Sequence, residues 1–582
     1  MNPAEQTHAA KLIGAIGSRA QLSLNGKWKY IIDGYETGAF GFMPVWKDAK
    51  PKSKSDRLEY SFDASPTLWV PGDWNSQDDK LFYYEGRIWH RRLFEIPEEM
   101  REQRLFLYFD AINYKAEVYF NNEKLGEHEG GFTPFNLEIT GKLRDGENSL
   151  IVAVDNRRRG DAIPSNVTDW WNYGGITRDV RLVALDSTFI RNFHFQLAKG
   201  SANHASGWVE LDGEKLPESV EVELPELGLK ESFTVDDTGK ARIELDLPGL
   251  QRWSPDNPKL YDVTIRAGES SVSDKIGFRT LETRGMELLL NGKPMFLRGV
   301  CYHEENAVRG GRAWSVEDAK RFLGYAKELN CNFVRLAHYP HNENIIRLAD
   351  EWGILLWGEL PLYWGIHWGD DQVLENAKRQ MGEMINRDRN RAAVIIWSIC
   401  NETGRTEPRN KFLKAMADHV RSLDDTRLVS AALQPDKIEG TGKKVISDAL
   451  GEQLDVIALN QYIGWYDGLP DACKTSDYEV RFDKPLIISE FGAGALFGFH
   501  GDKETRWTEE FQAWVYRESF PMLERIANFR GCAPWVLVDF RTPLRMLPGI
   551  QDGWNRKGLV SERGERKQAF FIVQEYYRKR LE

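Results

Sequence analysis

The sequence predicts a multidomain chain: an N-terminal β-sandwich of jelly-roll type over residues 1–187, an immunoglobulin-like β-sandwich over 188–280, and a C-terminal closed (β/α)8 TIM barrel over 281–582. Three observations predict it. At 582 residues the chain exceeds what one hydrophobic core supports, so several domains are expected. Up to about Arg279, apolar residues fall in short alternating runs separated by turn residues, the period of half-buried strands. After Arg279, short apolar runs alternate with helical stretches, the pattern of parallel β/α units.

In the first region, Leu105-Phe-Leu-Tyr-Phe109 and Ala116-Glu-Val-Tyr-Phe120 read as strands, and Asn121-Asn122 supplies a turn, because Asn tolerates a left-handed backbone. In the second, strands centre on Val220–Leu224, Ala241–Leu245 and Tyr261–Arg266. The third region predicts eight strands, centred on Phe296–Gly299, Phe333–Leu336, Ile354–Trp357, Val394–Trp397, Leu428–Ser430, Val456–Leu459, Leu486–Ile488 and Pro534–Val538. Ser315 with Asp318 three residues on predicts a capping box, and Trp352-Gly353 predicts a helix end. No glycine-rich phosphate fingerprint follows any of these strands, so a closed barrel fits better than an open doubly wound sheet.

Composition narrows the function. A net charge of −11 with no basic stripe excludes nucleic acid as a partner and leaves small neutral or weakly acidic ligands. Both charge signs are interspersed among 41% apolar residues, as in globular chains. The five cysteines are widely spaced in apolar runs and read as buried thiols; no Cys/His cluster has zinc spacing, so neither a metal nor any other cofactor is expected. No membrane-spanning run is present, and a soluble chain is expected, cytoplasmic as given or periplasmic if a leader has been removed. Twenty tryptophans, many beside Gly, Asp or Asn, suit platforms for sugar rings as well as ordinary core filling.

In a β/α barrel the active site lies past the C-terminal ends of the strands. Those positions hold Tyr302-His303-Glu304, His338-Tyr339, Glu359, Asn401-Glu402, Asn460 with Tyr462 and Tyr466, and Glu490. Two carboxylates, Glu402 after strand four and Glu490 after strand seven, are expected to face one pocket. Cleaving a glycosidic bond requires such a pair: one carboxyl protonates the leaving oxygen and the other stabilises or attacks the anomeric carbon. At about 5–5.5 Å apart the second acts as nucleophile and configuration is retained. The expected roles are acid/base for Glu402, with a raised pKa, and nucleophile for Glu490; Asn401 is positioned to bind the adjacent sugar hydroxyl.

Several segments resemble glycoside hydrolase family 2, the group of β-galactosidases, β-glucuronidases and β-mannosidases. They are Gly130-Gly-Phe-Thr-Pro-Phe135, Asp169-Trp-Trp-Asn-Tyr-Gly-Gly-Ile-Thr-Arg178, Trp253-Ser-Pro-Asp-Asn-Pro-Lys-Leu-Tyr261, Gly277-Phe-Arg279, Trp397-Ser-Ile-Cys-Asn-Glu402 and Ser489-Glu-Phe-Gly492. They span nearly the whole chain in order. The resemblance implies the same three domains, puts the catalytic acid/base and nucleophile on Glu402 and Glu490, and implies a carbohydrate substrate. It further implies that Asp169 reaches into the barrel to bind sugar hydroxyls, that His303 and His338 bind the sugar, that Tyr462 and Tyr466 surround the nucleophile, and that Trp535 forms an aromatic floor. For each histidine a satisfied structural role competes, and for Trp535 barrel filling does. Members often form homo-oligomers.

Asn555-Arg-Lys557 resembles the Asn-x-Lys motif by which β-glucuronidases hold the substrate carboxylate, and an ammonium beside an amide donor suits a uronate. A surface lysine in a basic stretch is the competing reading. Where several β-glucuronidases place an arginine four residues before that Asn, this chain has Gln551. The expected function is therefore a retaining exo-β-glucuronidase, with a β-galactosidase acting on oligosaccharides or polysaccharide fragments as the alternative. A non-catalytic carbohydrate-binding protein is the third reading, disfavoured because both carboxylates are present. No magnesium segment of the large β-galactosidases follows strand three, where Gly358-Glu-Leu-Pro361 stands, and the loop Tyr363-Trp-Gly-Ile-His-Trp368 is expected to shape the aglycone side.

Overall fold

Alternation in the first region produces two packed antiparallel sheets in the computed structural model, which describes residues 11–40, 43–56, 58–306, 308–438 and 443–581. The expected outer limits at residues 1 and 582 lie outside these. The smaller sheet has four strands, Gln21–Ser23, Val180–Leu185, Arg104–Phe109 and Phe135–Glu138 in spatial order. The larger has six, running from Thr67–Val70 at one edge to Glu123–Glu129 at the other. Their facing side chains, among them Trp28, Leu107, Val118, Val152 and Leu182, form one buried core. Asn121 and Asn122, at φ 49° and 74°, turn the chain between Lys115–Phe120 and Glu123–Glu129, the left-handed geometry that Asn accepts at low cost. The second region forms sheets of three and four strands over a core including Val220, Ile243 and Ile265. Its strand Lys240–Asp246 alternates exposed and buried residues without a break.

The third region is a parallel barrel. Its strands are β1 (Leu297–Arg298 and Cys301–Tyr302), β2 (Phe333–Leu336), β3 (Leu355–Glu359), β4 (Val394–Asn401), β5 (Leu428–Leu433), β6 (Ile457–Asn460), β7 (Leu486–Phe491) and β8 (Phe529–Pro534). The two pieces of β1 close the sheet, the first pairing with β8 and the second with β2. Ser315 and Asp318 form the expected capping box at the start of helix α1 (Val316–Glu328). Gly353, at φ 70°, caps helix α2 (Glu343–Trp352).

Two expectations need correction. Strand eight was expected at Pro534–Val538, yet the ladder runs over Phe529–Pro534. Its register is set by Gly531, where an added Cβ would lie 2.5 Å from the Cβ of Leu297, and it ends at Pro534, which has no N–H to donate. Regular alternation with helices also fails: β5 and β6 are followed by short turns of 3-10 helix, Ala449–Gln453 and Pro470–Lys474.

Several of the segments that carry the family resemblance dock one domain on another. Trp253 is fully buried and donates its indole N–H to the carbonyl of Asp350 on α2 (2.8 Å). Arg279 is buried against the carbonyls of Ala392, Thr426 and Val394, clamping the second sandwich to the barrel around β4. Phe132, from the first sandwich, stacks on Tyr339 beyond β2, with ring centres 4.1 Å apart.

Candidate active site

The C-terminal ends of the strands gather the expected carboxylates. Glu402 follows β4 with φ 50°, a left-handed backbone that costs a non-glycine residue about 1–2 kcal/mol. Its N–H is tied to the carbonyl of Ala432 near the end of β5 (2.9 Å). Both carboxylate oxygens are engaged: Oε1 accepts from Asn460 Nδ2 (3.0 Å) and Oε2 from the Trp364 indole (3.1 Å). Glu490, on β7, accepts from Arg335 Nη1 at Oε1 (2.6 Å) and from the Tyr462 hydroxyl at Oε2 (2.6 Å). Burial and then the Glu490 charge raise the pKa of Glu402, against the opposing hydrogen bonds from Asn460 and Trp364. Burial first, and then Glu490, hold the Tyr462 phenol well above its ordinary pKa, so it remains a donor.

One hydrogen-bonded network joins the two glutamates. Asn401 Oδ1 accepts from Asn460 Nδ2 (3.1 Å) and from Arg335 Nη2 (2.7 Å), while Ser489 donates to Asn460 Oδ1 (2.7 Å). Arg335 also forks onto Glu359, whose Oε2 lies 3.1 Å from its Nε and 3.0 Å from its Nη2. Such a fully buried arginine is stable only with its charges and donors satisfied, and here two carboxylates and an amide do so. Glu359 in turn holds His338 through Nδ1 (2.7 Å), leaving Nε2 3.8 Å from Glu490 Oε1. The His338 ring stacks on Trp535 (4.8 Å, 22°).

The other expected residues divide into two groups. His303 lies deeper, its Nδ1 3.2 Å from the Tyr339 hydroxyl and its Nε2 buried without a protein partner. Burial and then His338 push its pKa well below the ordinary imidazole value, so it is neutral. Asp169, Asn555, Lys557 and Tyr466 form a separate polar corner. Asp169 is buried at the end of a loop from the first sandwich and accepts from Thr542 (2.7 Å), from Arg545 Nη2 (2.6 Å) and Nε (3.2 Å), and from Asn555 Nδ2 (3.3 Å). Asn555 Oδ1 accepts the N–H of Lys557 (3.2 Å), and the Lys557 ammonium donates to Tyr466 Oη (2.8 Å). Burial raises the Tyr466 phenol, but the charges of Lys557 and Arg545 outweigh it and the net shift is downward. Gln551 faces away from this duty, accepting the N–H of Leu547 within its own turn (3.4 Å).

Sequence reading missed Arg335, Thr542 and Arg545, placed Trp364 only in a loop bordering the aglycone, and gave Glu359 and Asn460 no role. Arg335 carried a signal, since an arginine inside the apolar run Phe333–Leu336 must be paired if that run is buried. Arg545 carried none, because its partner Asp169 lies 376 positions away. All five cysteines are free and buried. Among the described residues no cluster of His, Cys, Asp and Glu suits a metal ion, and no helix is long and apolar enough to cross a membrane.

The chain matches the model of the TIM barrel domain of glycosyl hydrolases family 2 over residues 281–579, that of the family's sugar binding domain over 22–186, and the family's central model over 188–279. The β-glucuronidase of Chlorocebus aethiops is 27% identical over 623 residues, covering 96% of this chain and 91% of that protein. A longer relative from Formosa agariphila is 27% identical over 563 residues, and this chain spans 66% of it. Among solved structures, a β-glucuronidase from an uncultured Clostridium species superposes with a TM-score of 0.83 at 25% identity, over 98% of this chain and 100% of that one. A β-galacturonidase from Eisenbergiella tayi does so with a TM-score of 0.81 at 25% identity, over 99% and 98%. With three consecutive models accounting for nearly its whole length, the chain belongs to glycosyl hydrolases family 2.

Proposed function

We propose that the chain is a retaining exo-β-glucuronidase. In the first step the Glu490 carboxylate attacks the anomeric carbon, the glycosidic C–O bond breaks, and Glu402 gives its proton to the departing oxygen. In the second, Glu402 takes a proton from water, whose oxygen attacks the anomeric carbon and displaces Glu490. The surroundings of each residue support its role. Arg335 and Tyr462 donate to the two oxygens of Glu490 and hold that carboxyl in place, while burial and the neighbouring charge favour the protonated form of Glu402. Asn401 spends its Oδ1 on Arg335 and Asn460, so its Nδ2 remains to donate to the sugar hydroxyl beside the anomeric carbon.

The sugar assignment is carried by the corner in which Lys557 and Arg545 both act on Tyr466 while Asn555 bridges to Asp169. Two cations beside an amide donor suit a carboxylate at C6, whereas a hydroxymethyl group gains little from them. The similarity to β-glucuronidases, and to a β-galacturonidase, agrees with a uronate at this position.

The test is a panel of nitrophenyl β-glucuronide, β-galacturonide and β-galactoside on wild type and Lys557→Ala. The glucuronide should be the best substrate. The substitution should lower its kcat/KM roughly 10 to 100-fold, as expected for a hydrogen bond to a charged group worth about 1.5–3 kcal/mol, and leave the galactoside nearly unchanged. A wild type that prefers the galactoside, or a variant that loses both equally, overturns the assignment.

A further inference from the structure

We propose that Arg545 is a specificity-determining residue: by pairing with Asp169 it neutralises that carboxylate, so that Asn555 and Lys557 receive a sugar carboxylate in preference to a neutral hydroxymethyl group. The proposal rests on the glucuronidase reading and deepens it.

The polar corner poses an electrostatic problem. Asp169 is buried within hydrogen-bond reach of Asn555, the residue whose backbone neighbour Lys557 supplies the ammonium. Without compensation its charge would cancel that of Lys557 and repel an incoming uronate. Arg545 meets Asp169 with two parallel donors, Nη2 to Oδ2 (2.6 Å) and Nε to Oδ1 (3.2 Å), the fork geometry that fixes both groups. Thr542 donates to the same Oδ1 (2.7 Å), so the carboxylate is saturated on that side. The Arg545 side chain is only 26% exposed, so water screens this charge incompletely, and the Tyr466 phenol feels it together with Lys557. Asp169, Arg545 and Lys557 thus leave one net positive charge facing the substrate, where Asp169 and Lys557 alone would leave none.

Charge replacement tests this. The readout is the ratio of kcat/KM for nitrophenyl β-glucuronide to that for nitrophenyl β-glucoside, which differ in whether C6 is a carboxylate. In Arg545→Met the local charge falls to zero and the ratio should drop about tenfold or more, the scale of one lost charge–charge contact. Arg545→Lys keeps the charge but loses the fork on Asp169, so its absolute rates should fall while its ratio drops less than that of Arg545→Met. The double variant Arg545→Met with Asp169→Asn restores one positive charge; its absolute rates fall because Asp169 belongs to the site, but its ratio should recover toward wild type. Thermal unfolding of each variant checks that the fold persists. If Arg545→Met lowers both substrates equally, or the double variant's ratio stays as low as the single variant's, Arg545 is a structural residue only. A wild type that cleaves the glucoside as readily as the glucuronide instead overturns the uronate reading, and this proposal with it.

Discussion

At the scale of single residues, the proposed mechanism asks Glu402 to hold a proton beside Glu490, and the surroundings of Glu402 suit that role. Glu402 is buried near the Glu490 charge, which raises its pKa, and its hydrogen bonds to Asn460 and Trp364 only partly offset this. In the proposed first step Glu402 acts in its acid form, so activity is expected to be lost as pH rises through the Glu402 pKa, and a raised pKa moves that loss to higher pH. Glu402→Gln should lower kcat/KM roughly 100 to 10,000-fold for a substrate with a poor leaving group and abolish the basic limb of the pH–rate profile. A variant that keeps the limb would assign it to another group. Both glutamates were legible in the sequence because each follows a buried apolar run directly. Arg335 was not, since within Phe333–Leu336 only the fold reveals that its inward position meets Glu359, Asn401 and Glu490 together.

At the scale of elements, the loop after β3 does more than border the pocket. Tyr363 bridges to Asn401 in the manner of a short parallel strand, and this delivers Trp364, at φ 50°, to the Glu402 carboxyl. An indole N–H on Oε2 stabilises the ionised form, so it opposes the two influences that keep Glu402 protonated. Trp364→Phe removes the donor and keeps most of the aromatic bulk. Its basic limb should therefore move to higher pH than in wild type, by pH–rate profiles of kcat/KM on the same substrate; a limb moved downward, or left in place, would show that this contact does not tune Glu402. The sequence marked this loop by its tryptophans, but not which of them would meet Glu402, because that depends on a single bridge from the loop after β3 to β4. Strand eight was misplaced for a comparable reason: Gly531 reads locally as a breaker, while its real duty is to admit the backbone of β1.

At the scale of the whole molecule, the pocket is shared between domains, since Asp169 belongs to the first sandwich while both glutamates belong to the barrel. One buried tie between that sandwich and the barrel is Arg178, which is fully buried and donates to the carbonyl of Phe132 within the sandwich (2.8 Å) and, on the barrel, to the carbonyl of Pro340 (2.7 Å) and to Glu304 Oε2 (2.8 Å). Burial alone would raise the Glu304 pKa, but the Arg178 charge, helped by His341 and Arg312, outweighs it and the net shift is downward. The pair therefore stabilises the fold above the ordinary carboxylate range and loses that contribution as pH falls through the lowered pKa. Truncating one member of a buried pair strands the other, at a cost of about 3–5 kcal/mol. Arg178→Met should lower the temperature of the unfolding step that separates sandwich from barrel, measured by calorimetry because a multidomain chain need not unfold in two states. It should also reduce kcat/KM on all three nitrophenyl sugars by similar factors, since Asp169 loses its place whichever sugar is bound, while the basic limb set by Glu402 stays where it was. A selective loss of glucuronide activity would instead mean that Arg178 acts through the cationic corner, and an unchanged unfolding temperature would mean that the other contacts between sandwich and barrel, among them Phe132 on Tyr339 and His128 with Glu383, suffice to dock the two domains.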